Sequence, residues 1–438
     1  MPTTNDNLDG TLNEILESND EQSKNILIAS SWLAAEKTLP NDLISKVIDV
    51  QPDTLTQKFG YLESKELLDR TGSGFSMPSK VVRIIRDKVD NKQLRSILLK
   101  TCKEMYELTK SLENPKDFEP YAVHIEKLAQ SGQIHKIPVS GLLFGLLGRY
   151  MFKIGDPEEA VRFIKRALLI VEKSSGVESV EHTENINNLG IALHRMGRFE
   201  DAKKCFEQAI IIDTEILGEE DQAVATGHNN LGQVLIDMNN LDGAIIHLEK
   251  ALKINTKNYG DDHPLVASGD YNLGMALLAK GDLNQAKSHL ETALTKRQKN
   301  LEENHYEIAD AHHGLGMVLQ MSGDVNEAKE HYIKAIEILE LETNEQDPKL
   351  AASYANLGGL YHVERDMEKA KELYEKAMDT FSMSSYDKDQ SIKDLKLQLK
   401  LIDFDLTMPE LLMKLEAGES LPDELVKILE ESFGSVKN

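Results

Sequence analysis

Four asparagines stand in one register of this chain. Asn188, Asn230, Asn272 and Asn356 each lie directly before a Leu-Gly dipeptide, at spacings of 42 residues or twice that. Asn187 and Asn229 precede two of them. An amide side chain donates and accepts hydrogen bonds at once, so a row of amides suits recognition more than bond-making. Two arginines in the same region, Arg149 and Arg195, add cationic donors that suit a carboxylate or a carbonyl.

Bond-making chemistry has no comparable signature. His312 and His313 are an adjacent histidine pair, but neighbours on a helix point apart. The chain contains no H-E-x-x-H, C-x-x-C or G-x-S-x-G pattern, and no G-x-x-x-x-G-K-[ST] loop to cradle a phosphate. The expectation is therefore no catalytic residue, no metal and no cofactor. Cys102 and Cys205 are far apart, which is no disulfide framework and points to a reducing, cytoplasmic compartment. No secretion signal or membrane-spanning stretch is read; the apolar run 137–152 is short and contains Arg149.

The elements that must position the asparagines repeat every 42 residues. Leu-Gly recurs at 147–148, 189–190, 231–232, 273–274, 315–316 and 357–358. An alanine follows each glycine by twelve residues (Ala160, Ala202, Ala244, Ala286, Ala328, Ala370), and another by nineteen (Ala167, Ala209, Ala251, Ala293, Ala335, Ala377). Small residues on one helical stripe let two helices approach closely. A large residue between the alanines (Ile164, Phe206, Leu248, Leu290, Tyr332 or Tyr374) fills the space they leave. Gly155, Gly197, Gly281 and Gly323 suit left-handed helix ends, as does Asn239, whereas Arg365 predicts a different sixth turn.

This pattern resembles the tetratricopeptide repeat, usually about 34 residues long. The extra residues belong to a longer second helix and its loop, as in kinesin light chains. The resemblance implies an all-α, right-handed superhelix over residues 136–392, with a concave groove lined by the first helix of each repeat. In that family the position before Leu-Gly faces the groove and its asparagine bonds the backbone of an extended peptide. It follows that Asn188, Asn230, Asn272 and Asn356, with Asn187, Asn229, Arg149 and Arg195, are the expected peptide-binding residues. Gly314 and Leu146 break the asparagine pattern in repeats five and one. A lysine-arginine clamp for a C-terminal carboxylate is not expected, because Tyr271, His313 and Ala355 stand at its positions.

Residues 1–18 are polar and predict a disordered tail. Over 19–90, helices around Trp32, Leu43 and Phe59, then a Gly72–Gly74 turn and a helix through Val81 and Ile85, read as a small winged-helix domain. This segment resembles the winged helix of NB-ARC-type STAND ATPases, and residues 91–135 resemble the helical linker found there. The missing phosphate loop removes the ATPase half from this reading. The rivals are a DNA-binding regulator, through Lys58, Lys65, Arg70 and Lys80, and the sensor half of a STAND signalling ATPase.

The net charge of −24 concentrates in the repeats: residues 136–438 carry 33 Lys+Arg against 53 Asp+Glu. That balance argues against nucleic acid and anionic membrane and favours a basic protein or peptide partner. Residues 393–438 break the register and read as C-terminal capping helices.

Overall fold

The computed structural model describes residues 4–72, 74–112, 114–342, 347–383 and 392–403. Two units divide the chain, Met1–Val234 and Leu235–Asn438. Among the described residues the only sheet is a two-stranded hairpin, and everything else of regular structure is helical.

The first unit opens on α1 (Thr4–Glu17). Its Leu8, Leu12 and Ile15 are buried at helical spacing. The disordered tail expected from composition is thus corrected for these residues: three apolar side chains on one face are enough to dock a polar segment. Lys88 holds it from outside, donating to Asp9 Oδ2 at 2.9 Å and Asn13 Oδ1 at 2.8 Å. Next come α2 (Glu21–Ser31), α3 (Asn41–Ile48) and α4 (Pro52–Ser64). Asp20 caps α2. Asn41 and Asp53, residue types that favour cap positions, lie in the first turns of α3 and α4, behind Pro40 and Gln51.

Strands β1 (Asp69–Thr71) and β2 (Gly74–Ser76) pair antiparallel with Arg70 opposite Phe75. Helices α5 (Ser79–Lys88), α6 (Asn91–Thr109) and α7 (Pro115–Ile134) complete the N-terminal part. Trp32 anchors it. Its indole N–H donates to the Leu94 carbonyl at 3.2 Å. The Arg86 guanidinium lies 4.6 Å from the ring centre and bonds the Ser31 carbonyl, where a cation also favours the end of α2.

Two helix pairs follow in this unit: α8 (Ser140–Lys153) with α9 (Pro157–Ser174), and α10 (Val180–Arg195) with α11 (Phe199–Leu217). Helix α12 (Gln222–Asp237) contains the boundary between the units. The second unit holds α13 (Leu241–Tyr259) and three pairs: α14 (Pro264–Lys280) with α15 (Leu283–Asn300), α16 (Tyr306–Ser322) with α17 (Val325–Glu342), and α18 (Pro348–Val363) with α19 (Met367–Met383). The second helices run 17 to 19 residues, which is where the added length of the repeat goes.

The small-large pairing read from sequence is what closes each pair. A Cβ at Gly148 would stand 2.4 Å from Ile164, at Gly190 2.7 Å from Phe206, at Gly274 2.8 Å from Leu290 and at Gly316 2.7 Å from Tyr332. No side chain fits there unless its partner moves. The alanines of the second helices are buried alongside. Gly281 ends α14 with φ +88, as a left-handed end requires. Arg365 adopts the same region with φ 68, so the different sixth turn expected from its side chain is corrected. Its peptide N–H still bonds the His362 carbonyl at 3.1 Å, and the turn geometry outweighs the modest cost of a left-handed non-glycine residue.

A last helix, α20, covers residues 392–403. Leu395 and Ile402 are buried in the cluster that contains Tyr374 and Ala377, so α20 covers the apolar face of the final pair. The rest of the expected capping segment, residues 404–438, lies outside the described residues.

Candidate functional site

The asparagine register does not make one continuous site. It makes separate polar clusters, and their surroundings differ.

In the first unit, Arg149, on α8, and Asn188, on α10, line a pocket of about 190 Å³. Tyr106 of α6 and Lys110 just past its end, with Leu142, Gly145, Leu146, Glu184 and Asn185, complete it. Arg149 is held in place by donating to the Lys110 carbonyl at 2.8 Å. Asn185 is buried, and its Nδ2 donates to the Glu181 carbonyl at 2.6 Å. A Cβ on Gly145 would stand 2.7 Å from the Asn185 oxygen, so this glycine exists to admit the amide. Burial, with the Glu184 charge, pushes the Tyr106 hydroxyl up. The site thus offers a cation, a carboxylate, amides and a neutral phenol around a small opening that Leu142 and Leu146 also line.

Sequence reasoning missed Tyr106, Lys110 and Asn185. The first two come from α6 and its end, outside the repeats. Asn185 had a signal in Gly145, an extra glycine two residues before Leu147.

A second cluster joins α10 to α12. The Asn230 amide donates to Asn187 Oδ1 at 3.0 Å. Both side chains are half-buried, as are Asn188 and Asn229. Arg195 is exposed near the end of α10 and does not line the pocket that holds Arg149 and Asn188.

In the second unit the register changes character. Asn356 hydrogen-bonds the Tyr332 hydroxyl, which itself donates to Gln320 Oε1 at 2.8 Å. At Gly314, which stands in place of asparagine in repeat five, a Cβ would come within 3.2 Å of Leu290 and 3.3 Å of the Met275 sulfur, so those side-chain ends would have to give by a few tenths of an ångström. Met321 is 59 % exposed, while Met275 and Met317 are half-buried and pack on the core.

Polar residues cluster on α14, α16 and α18 around these positions. His313 Nδ1 and Ser353 Oγ are 2.7 Å apart, and burial pushes His313 down to about 4, keeping it neutral. Arg297 is 4 % exposed; it donates to the Glu307 carbonyl at 2.7 Å and lies 4.5 Å from the Tyr271 ring centre. Asp310 is buried and ion-paired with Lys349, yet burial still raises its pKa, and its Oδ1 has no hydrogen-bond partner. Near these positions Arg297 lies against the Tyr271 ring and the Lys349 charge acts on His313.

Two of the basic residues named for DNA contact, Lys58 and Arg70, are engaged elsewhere. Lys58 bonds Asp20 at 2.7 Å. Arg70 donates twice to Glu63, at 2.9 and 2.7 Å, and lies over the Phe75 ring. Each pair offsets a charge that a phosphate backbone would need. The two thiols are free, with Cys102 pushed up to about 12 and Cys205 to about 11 by burial, so both are poor nucleophiles. Among the described residues no helix is long and apolar enough to cross a membrane, and no cluster of three metal-ligating side chains exists.

A family model described as tetratricopeptide repeat matches residues 141–215, 182–257, 223–299, 265–341 and 307–382. No curated protein sequence matches the chain significantly. Among solved structures, BtubC from P. vanneervenii is 23% identical, with a TM-score of 0.44 over 52% of this chain and 90% of that one. A Signal Transduction ATPase with Numerous Domains (STAND) protein with a tetratricopeptide repeat sensor, from Pyrococcus horikoshii, is 14% identical, with a TM-score of 0.45 over 90% of this chain and 67% of that one. A Rap protein complexed with Competence and Sporulation Factor is 17% identical, with a TM-score of 0.48 over 75% of this chain and 92% of that one.

Proposed function

We propose, on the premise that the chain belongs to the tetratricopeptide repeat family, that it is a non-catalytic scaffold whose first helices hold an extended segment of a protein partner. Repeat arrays of this kind present extended concave binding surfaces. The observation that carries the reading is the Asn187–Asn230 pair, two half-buried amides held side by side, with Asn230 at the register position and Asn187 one residue before it. One bond between them uses only part of what two amides offer, and the rest suits the alternating N–H and C=O groups of a peptide backbone. Arg149 beside Asn188 would take a carbonyl or carboxylate of the same segment.

In this reading the N-terminal helices and hairpin are a winged-helix module serving protein contacts, since Lys58 and Arg70 are already paired. The acidic repeats favour a basic partner, and the two separate free thiols suit the cytoplasm.

The test is affinity capture with the full chain and with an Asn188→Ala, Asn230→Ala double variant. A partner captured by the first and lost by the second, at a nearly unchanged melting temperature, supports the reading. Capture of the same partners by both overturns it.

A further inference from the structure

Repeats four and five align residue for residue at a spacing of 42, and they differ at one edge. In repeat four, Lys296 on α15 reaches Asp270 on α14 at 2.6 Å. Lys299 is ion-paired with Asp262 in the preceding loop, and Asn300 Nδ2 donates to the Asp262 carbonyl at 2.6 Å. These links tie the end of α15 to the start of α14. In repeat five the corresponding residues are Ile338 for Lys296, His312 for Asp270, Leu341 for Lys299 and Asn304 for Asp262. The side chains that would form the links are gone, and His312 instead meets His331, with the two Nδ1 atoms 2.9 Å apart.

A cleft of about 900 Å³ opens there, between the loop after α15 and helices α16 and α17. Ile308, Ile338 and Leu341 give it apolar walls; Glu303, Glu337 and Glu340 rim it, against a single Lys334. Leu341 is 72 % exposed. None of these residues belongs to the asparagine clusters.

We propose that this cleft docks a segment of a partner protein carrying an apolar anchor flanked by lysine or arginine. An apolar side chain entering a concave site gains free energy by leaving water, and the surrounding polar rim then excludes solvent. Charge decides the occupant. The chain's own residues 404–438 carry 8 acidic against 3 basic side chains, and a second copy brings a net charge of −24. Both would set carboxylates against Glu303 and Glu337, whereas a basic segment complements them. Glu340 already accepts from the Tyr354 hydroxyl, so Glu303 and Glu337 are the carboxylates assigned to the partner's cations.

The test uses the full chain and two fluorescein-labelled probes: an amphipathic Leu/Lys peptide and a Leu/Glu peptide of the same pattern. Fluorescence anisotropy should give binding of the Leu/Lys probe at least about tenfold tighter than the Leu/Glu probe. The variant Asn304→Asp, His312→Asp, Ile338→Lys, Leu341→Lys transplants the links of repeat four into repeat five. It adds two charges of each sign, so non-specific attraction by net charge stays constant. Its affinity for the Leu/Lys probe should fall about tenfold or more. Unchanged affinity overturns the proposal, as does a wild-type chain that fails to bind the Leu/Lys probe or binds both probes alike. Should the quadruple variant fail to fold, the surface pair Glu303→Lys, Glu337→Lys replaces it. That pair should shift the preference toward the Leu/Glu probe, and an unshifted preference overturns the proposal equally.

Discussion

Asn230 on α12 donates its side-chain amide to the oxygen of Asn187 on α10, at 3.0 Å. The two residues come from successive repeats, so the bond couples neighbouring first helices. It gives the asparagine register a structural duty besides the recognition proposed for it. Asn230→Ala should cost about 1 kcal/mol of stability, the usual net worth of one such bond. Partner affinity should fall by more than that. Calorimetric melting alongside a binding titration separates the two. A stability loss of several kcal/mol, with affinity unchanged, would leave the amide purely structural.

The glycine register makes a sharper prediction because propensity and packing pull in opposite directions. In a helix, Gly→Ala gains up to about 1 kcal/mol. At Gly60, within α4, nothing lies within 4 Å of the added Cβ, so Gly60→Ala should stabilise by roughly 0.5–1 kcal/mol. At Gly190 the added carbon meets the Phe206 ring at 2.7 Å, so Gly190→Ala should lose about 1–3 kcal/mol. Adding Phe206→Leu should recover part of that loss. Urea midpoints of the variants report all three effects.

The first helix offers a simpler case. Leu12 is fully buried although its segment is polar. Leu12→Ala should destabilise by about 2–5 kcal/mol, as for other buried leucines. A free tail would give no change in the denaturation curve.

Acid should weaken the second unit. Burial pushes His312 and His313 down to about 4, with His331 and Lys334 adding to it at His312 and Lys349 at His313. The unfolded chain takes up protons near pH ~6.5 while the folded one does not, so unfolding binds protons in between. Stability is therefore fully present above about pH 6.5 and is lost as pH falls toward about 4, each histidine costing up to about 1.4 kcal/mol for every pH unit crossed. Asp310, whose pKa is raised by burial, works in the opposite sense and blunts the fall at its acid end. Urea midpoints measured across this range should flatten in His312→Gln, His313→Gln. An identical slope in that variant would rule these histidines out.

The repeat fold was legible because its determinants are local. Gly190 needs Phe206 and Gly316 needs Tyr332, each within one helix pair, and the 42-residue spacing exposes both columns at once. The candidate site was legible only as a register. Asn188 and Arg149 do come together, but Lys110 and Tyr106 reach their pocket from α6 and its end, which no repeat pattern encodes. The partners of Asn230 and Asn356 depend on which residue the adjacent helix presents. Helix α1 was missed because overall polarity hid the spacing of Leu8, Leu12 and Ile15. Arg365 was misjudged because side-chain preference counts for less than closure of the turn.

The pairing of Gly148 with Ile164, and of its counterparts, has one consequence for history. Each pair is closed within its own repeat, sixteen residues apart. Duplicating or deleting a whole repeat would orphan none of these partners. Couplings such as Asn187 to Asn230 straddle the junctions instead. Recombination would disturb those first, together with packing across the junctions such as Gly314 against Leu290.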